Sequence, residues 1–355
     1  MVKKEDSQIL FLGTIPPREC GIATFNQDIS NAVQHRVFPD TKIKIAAMNR
    51  NGVNIYNYPE KVIHQINDAD INSYIETAKK INVNRKIKIV SIQHEFGIFG
   101  GENGSYLIAF LELLEKPCVI TLHSILPNPN EQMKKVVQTM AEKSNAFIVM
   151  AEKGEEILRK DYDLKNDIYV IPHGIPTVSF ESSIREKKNI GYKDRLIISS
   201  FGLVAPGKGY ETVIQSLPEV VKKFPNLLYL IVGETHPVVR REQGEAYRNG
   251  LEKEIKELNL QNHVKFYNKY MTLSEIVKYL KSSDIYVSSS TNPNQITSGP
   301  LVYALGCGRP VISTPFLHAQ EAIDPSRGIL VDFENKGSFS DALIKILSDK
   351  KIQKS

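Results

Sequence analysis

The chain has 355 residues, with 45 Lys and Arg against 40 Asp and Glu, for a formal net charge of +5. At 41% hydrophobic and 24% charged it has the apolar mass for real cores, which excludes a mainly disordered chain, and its thinly spread basic excess excludes the footprint of a nucleic-acid binder. Cys20, Cys118 and Cys307 stand far apart without CxxC spacing, so neither a disulfide framework nor a zinc site is expected, and a reducing, cytoplasmic setting fits.

Residues 1–6 turn polar at once, and no later run is long and apolar enough to span a bilayer. Short runs rich in Val, Ile, Leu and Phe then alternate with amphipathic stretches, the pattern of parallel strands buried between helices. Strands are predicted at 8–12, 42–47, 87–93, 118–122, 146–150 and 168–171, with helices at 24–33, 72–81, 105–114, 131–143 and 153–160. Residues 176–194 are polar and charged, with little periodic apolar content, and read as a linker. The plan then repeats, with strands at 196–201, 227–232, 264–267, 285–288, 310–313 and 328–331 and helices at 210–222, 244–257, 273–280, 299–305 and 338–347. The expected architecture is α/β: two Rossmann-like, doubly wound domains over 1–175 and 195–355, facing across a cleft.

Open α/β sheets bind ligands beyond the carboxyl ends of their strands, so the loops there carry the candidate chemistry. The loop after the first strand holds Arg18 and Gly21 ahead of a helix, without the GxGxxG of a dinucleotide site. His94 and His123 each follow a strand directly, where a side chain points toward ligand rather than core. Glu95 adjoins His94, and neighbours on an extended segment point to opposite sides, so the two are not expected to serve together. His173 is expected to mark the domain junction. No third His, Cys or carboxylate stands at ligand spacing, so no metal is expected.

In the second array, residues 202–209 run from a strand through a Gly-bearing turn and Lys208 into a helix, which is the grammar of a phosphate cradle. Gly202, Gly207 and Lys208 have Walker A spacing, but Gly209 stands where Ser or Thr would hold Mg²⁺, which argues against an NTPase. Arg240 and Arg241 follow the strand that ends before Gly233. Asn292, Asn294, Gln295, Thr297 and Ser298 gather uncharged hydrogen-bonding groups at another strand end. Such groups suit a polyhydroxylated or phosphorylated ligand, because they donate and accept without the cost of burying a full charge.

Taken together, Gly202-Leu203-Val204-Ala205-Pro206-Gly207-Lys208-Gly209, the stretch from Gln295 to Tyr303, and Ala304-Leu305-Gly306-Cys307-Gly308-Arg309-Pro310-Val311-Ile312 resemble the motifs of the retaining GT-B glycosyltransferases of family 4, or group 1. The blocks Pro16-Pro17-Arg18-Glu19-Cys20-Gly21-Ile22-Ala23-Thr24 and Gln93-His94-Glu95-Phe96-Gly97 look like a divergent branch of the same family. The resemblance implies a nucleotide-sugar donor held by the C-terminal domain and a carbohydrate acceptor held by the N-terminal one. It also implies roles: Lys208 at the donor diphosphate, Gly202 allowing close backbone approach, Gln295 facing the sugar hydroxyls, Ser298 and Gly299 at sugar or phosphate, Tyr303 near the ribose, Gly21 closing over the phosphates, and His123 beside the reacting carbon. His94, Glu95, Arg18, Arg240 and Arg241 are the remaining cleft candidates. The family's arginine is Leu203 here, and its two glutamates are Gln295 and Tyr303.

The expected function is therefore metal-independent, retaining transfer of a hexose from a nucleotide diphosphate, of GDP-mannose or UDP-glucose type, to a carbohydrate. A glycoside phosphorylase and a non-catalytic sugar- or nucleotide-binding module are the alternatives. Neither nucleic acid nor a membrane span is expected. Family members usually return their last helix to the N-terminal domain, whereas this sequence stops soon after 338–347, so a further C-terminal domain is expected if the chain is part of a longer protein.

Overall fold

A computed structural model describes residues 7–175, 177–179 and 182–349. The chain divides into two compact units, Met1–Gly174 and Ile175–Ser355. The first holds a seven-stranded parallel sheet of β1 (Gln8–Gly13), β2 (Lys42–Asn49), β3 (Val62–Asn67), β4 (Ile87–His94), β5 (Cys118–Leu122), β6 (Ala146–Val149) and β7 (Ile168–Val170), in the order β3-β2-β1-β4-β5-β6-β7. The second holds a six-stranded parallel sheet of β8 (Leu196–Phe201), β9 (Leu227–Val232), β10 (Val264–Tyr267), β11 (Ile285–Ser288), β12 (Val311–Ser313) and β13 (Gly328–Leu330), in the order β10-β9-β8-β11-β12-β13. Both are doubly wound Rossmann-like sheets, as the sequence predicts.

Sequence and burial agree because strands of a parallel sheet are covered on both faces and need no alternation. All six residues of β9, Leu-Leu-Tyr-Leu-Ile-Val, are buried. Side chains of one face join the helix Tyr210–Lys223 and the helix Lys336–Ser348 in one core cluster, which includes Ile198, Leu217, Tyr229, Ile231 and Phe339. Ile197, Leu228, Leu230 and Tyr286 face the other way, toward Leu280, Leu301 and Phe316. At the amino-terminal side of this sheet Arg195 donates from Nε to the Asn226 carbonyl (2.8 Å) and from Nη2 to the carbonyls of Leu227 and Asn262 (2.7 Å each).

Three differences from the sequence reading have physical reasons. β3 is absent from the predicted strands: it is an edge strand whose residues, apart from Ile66, are only half-buried, so His64, Gln65 and Asn67 interrupt the apolar run. Within the stretch read as a linker, residues 183–189 form a helix of the second unit, because Lys187 is buried against Asp284 (2.6 Å) and Ser183 donates to the same carboxylate (3.1 Å). Pro176, Phe180 and Glu181 of that stretch lie outside the described residues. The predicted helix at 244–257 is preceded by a separate one, Pro237–Gln243, and divided from it at Gly244, whose φ is +62°.

Each sheet reverses its strand order once, between β1 and β4 in the first unit and between β8 and β11 in the second. Crevices for ligands open outside the carboxyl ends at these switch points.

Candidate active site

In the second unit both loops at the switch point are built on backbone contacts too close for side chains. A Cβ on Gly233 would lie 2.0 Å from the Gly202 carbonyl oxygen, so the loops after β8 and β9 touch main chain to main chain. Val204 extends the contact, donating to Glu234 O and accepting from His236 N (2.8 Å each). The Gly207 carbonyl accepts from the Thr291 amide (3.0 Å), and the Lys208 carbonyl accepts from Ser289 Oγ (2.7 Å). Gly209, in the left-handed region at φ +67°, caps the helix Tyr210–Lys223, and a Cβ there would sit 2.0 Å from the Ser289 carbonyl oxygen. This accounts for the departure from Walker A: the position of the magnesium-binding hydroxyl has no room for a side chain.

The Lys208 backbone is thus clamped, while its side chain is exposed and no carboxylate among the described residues pairs with it. Desolvation by surrounding atoms lowers its ammonium below the usual lysine range. Lys208, Gln295 and Ser298 line one pit at the ends of β8 and β11, together with Ser290, Tyr210 and Pro300. At about 30 Å³ it is a one-water hollow beneath the loops and not itself the seat of a sugar. The amino ends of two helices, Tyr210–Lys223 and Gly299–Gly306, open beside it and add their positive dipole ends.

Several groups expected to face a ligand turn partly inward. Gln295 accepts from Ser290 Oγ (2.8 Å) and donates to the Thr297 carbonyl (3.0 Å), so its amide shapes its own loop and keeps one N–H and one lone pair for a ligand. Ser298 caps the helix that Gly299 begins, accepting from Leu301 N at 3.4 Å. Its amide donates to His318 Nδ1 at 2.8 Å. Sequence reasoning misses His318: it lies outside every motif, and only the fold brings it beneath Ser298. Tyr303, expected near the ribose, is only 7% exposed and packs in the core with its ring stacked on Phe201. Arg240 donates to the buried Glu234 carboxylate (3.0 Å), and Arg241 pairs with Glu242 (3.4 Å), so both have acidic partners of their own.

In the first unit, Gly13 after β1 passes so close to β4 that a Cβ would lie 3.0 Å from Gln93 Cβ. The following loop is held by Asn26, which donates to the Thr14 carbonyl (2.9 Å), and by Arg18, which donates to the Met48 carbonyl (2.9 Å). Gly21 is exposed at the start of the helix Gly21–Ala32, and a Cβ there would meet no described atom within 4 Å. His123, at the end of β5, lies 3.0 Å through Nε2 from Gln93 Oε1 and meets Phe25 edge-on at 4.7 Å. An amide oxygen only accepts, so Nε2 carries the proton and Nδ1 keeps its lone pair. Burial, reinforced by His173 and His94, pushes His123 down to about 3, so the ring is neutral throughout the physiological range. His173, its ring 4.9 Å from that of Phe25, joins this aromatic group.

His94 corrects an expectation. It is fully buried, stacked on Phe99 at 5.4 Å and edge-on to Phe96, with no hydrogen-bond partner for either ring nitrogen among the described residues. It supports the 96–104 loop from below and does not present itself to an acceptor. Glu95 points the other way and is held by a hydrogen bond from Ser124 and by the amides of Phe96 and Gly97, while burial raises its pKa.

Burial pushes His94 down to about 3 from 6.5. A histidine neutral when folded binds fewer protons than when unfolded, so the stability it confers is whole above 6.5 and drains as pH falls toward 3. The slope is about 1.4 kcal/mol per pH unit. His94→Phe should therefore flatten the acid side of the stability profile, read by urea unfolding at stepped pH, and leave stability near neutrality little changed. An unaltered acid slope would contradict the neutral, unpaired state.

No cluster of three or more His, Cys, Asp or Glu that could hold a metal ion occurs among the described residues, and no helix among them is long and apolar enough to cross a membrane.

Two parallel sheets with crossover helices, each with ligand-type loops at its switch point, define the GT-B class of α/β protein. The model of the family described as "Glycosyl transferases group 1" matches residues 181–355, essentially the second unit. Over that unit the chain is similar to the group 1 glycosyl transferases. An uncharacterized glycosyltransferase of Methanocaldococcus jannaschii is 29% identical over 180 residues, 48% of this chain and 40% of that protein. A GDP-mannose-dependent monoacylated alpha-(1-6)-phosphatidylinositol monomannoside mannosyltransferase of Corynebacterium glutamicum is 24% identical over 192 residues, 50% of this chain and 46% of that protein. The matches thus span less than half the length of these relatives. In fold, the chain is similar to the Anabaena protein HepE solved in complex with UDP, with a TM-score of 0.74 at 15% identity over 98% of this chain and 91% of that one.

Proposed function

We propose that the chain is a retaining, metal-independent glycosyltransferase that moves a hexose from a nucleotide-diphosphate sugar to a carbohydrate acceptor. The observation that carries this reading is Lys208: a lysine on a clamped backbone, with no carboxylate partner among the described residues, sharing its pit with Gln295 and Ser298 between two helix amino ends. A cation, an amide, a hydroxyl and two helix amino ends gathered around that small hollow are groups that suit a phosphate attached to something polyhydroxylated, bound over the loops rather than within the hollow. The relatives whose names specify GDP-mannose and the HepE complex with UDP support a nucleotide-diphosphate donor.

In this reading the bond from the sugar's anomeric carbon to the phosphate oxygen breaks as the acceptor oxygen forms its bond on the same face, and the departing phosphate oxygen takes the acceptor's proton. Lys208 and the two helix ends offset the charge growing on the leaving diphosphate, as preorganised electrostatics do elsewhere. The role that the family resemblance gives His123, beside the reacting carbon, suits a ring that is neutral and oriented by Gln93.

The test is to incubate the protein with GDP-mannose and with UDP-glucose in EDTA, with sugar acceptors, following nucleotide release and the anomeric configuration of the product by NMR. Donor-dependent release with configuration retained is expected. Inertness toward both donors, or activity abolished by the chelator, would overturn the reading. Leu203 in place of the family arginine, with Arg240 already paired to Glu234, favours phosphorolysis as a second reading, since one phosphate needs fewer cations than two. It predicts sugar 1-phosphate only when inorganic phosphate is added.

A further inference from the structure

A polar cavity of about 470 Å³ lies in the first unit between the edge strand β3, the helix Ile71–Val83 and the loop that follows β2. Its volume falls within the roughly 300–1,000 Å³ of small-molecule sites. Gln65 builds one wall, accepting from the Asn54 amide (2.9 Å) and from Asn49 Nδ2 (2.7 Å) while donating to Asn54 Oδ1 (3.1 Å). The helix supplies the other wall through Ser73, Glu76, Thr77 and Lys80, spaced three and four apart and so on one face.

The charges around the cavity leave a single carboxylate in excess, since Lys80 is matched by Glu76 and Asp70 has no cation beside it in the lining. Asp70 is occupied as helix cap, accepting from Asn72 N (3.0 Å), and Glu76 and Lys80 face each other at 3.7 Å. His64 is held neutral by desolvation and by Lys80. Nothing in this lining neutralises a phosphate, and a polar lining does not suit a lipid. The remaining groups are amides, hydroxyls and an imidazole, held in place by the wall's own hydrogen bonds, and their spare donors and acceptors suit an uncharged polar ligand.

We propose that this groove binds a neutral carbohydrate chain. It lies three strands from β4, about 14 Å at the spacing of a sheet, and so acts on part of a glycan remote from the sugar that reacts. The inference rests on the proposed transferase function in one respect: a grip on the acceptor chain raises the effective concentration of its reacting end. A peptide added to the edge of β3 is the competing occupant, and the edge disfavours it. The Asn67 amide already donates to Ser73 Oγ (3.0 Å) and the Val62 amide to the Pro59 carbonyl (2.9 Å), closing both ends of the strand.

The experiment measures binding of fluorescently labelled short gluco- and manno-oligosaccharides to the whole chain and to two variants, E76W and K80W. Both side chains are mostly exposed, at 67% and 62%, so each indole can block the groove without entering a core. Melting curves establish that the variants are folded, and hydrolysis of nucleotide sugar without acceptor is followed in parallel. Oligosaccharide binding weakened about tenfold or more in both variants, equivalent to about 1.4 kcal/mol, with donor hydrolysis unchanged, is expected. Wild-type protein that binds no oligosaccharide, variants that bind as well as wild type, or a groove occupied by peptide instead would overturn the proposal. Loss of donor hydrolysis in the wild type with groove binding intact would count against the transferase reading alone.

Discussion

Lys208→Ala is expected to lower turnover of a nucleotide sugar by about two to three orders of magnitude and to leave the melting temperature almost unchanged. The two effects separate because the loop is held by its backbone: Ser289 bonds the Lys208 carbonyl and Thr291 the Gly207 carbonyl, whatever side chain position 208 carries. The ammonium itself touches no carboxylate among the described residues, so removing it strands no buried charge. In the proposed function the loss falls on the diphosphate, and most of all on the transition state, where a preorganised donor is worth about 2.7–4 kcal/mol. A Lys208→Arg variant retains the charge and should recover part of the rate. Turnover and thermal unfolding of the three proteins decide the matter. An alanine variant that works at wild-type rate would place the phosphate somewhere else.

Gly209→Ser is expected to fail although it brings the loop closer in letters to a Walker A sequence. Its Cβ would have to occupy space 2.0 Å from the Ser289 carbonyl oxygen, at a φ of +67° that L residues avoid. Backbone on one side and backbone on the other leave nothing to rotate away. A cost of about 3 kcal/mol or more follows, and in a unit of this size that lowers the melting temperature by roughly 6–12 °C. Donor turnover should fall with it, since Lys208 is the preceding residue. Gly207→Ala is the control: its φ of +83° is strained, but its Cβ would meet nothing nearer than Thr291 Oγ1 at 3.7 Å, so a loss nearer about 1 kcal/mol is expected. Equal melting temperatures for both variants would contradict the close approach of the two loops.

The frame of the fold was legible because parallel strands declare themselves as unbroken apolar runs, and β8, β9 and β11 lie within a residue of where those runs fall. β3 escaped because an edge strand offsets its exposure with polar residues, and the helix at 183–189 because its anchor is an ion pair rather than an apolar face. Site legibility followed the same division. Lys208 stands out as a candidate because a glycine-flanked lysine after a strand has few other uses, and the fold places it at the end of β8 with its backbone clamped. Gln295, Ser298 and Tyr303 are candidates by position alone, and only the folded arrangement reveals how far each is turned inward. His94 and His123 look equivalent in the sequence, each directly after or at the end of a strand. One is sealed beneath Phe99, while the other is oriented by Gln93, a difference set by residues that follow no motif.

Arg195 gives the second unit an asymmetry of stiffness. By gathering three carbonyls at the trailing margin, it rivets β8, β9 and β10 where no chemistry occurs. Strands fastened at one margin cannot slide past one another, but their opposite tips can still fan slightly, like slats on a common pin. In the proposed reading, any adjustment to a donor would fall on the rim bearing Lys208, and loss of Arg195 is expected to loosen the alignment of that rim from the far end of the sheet.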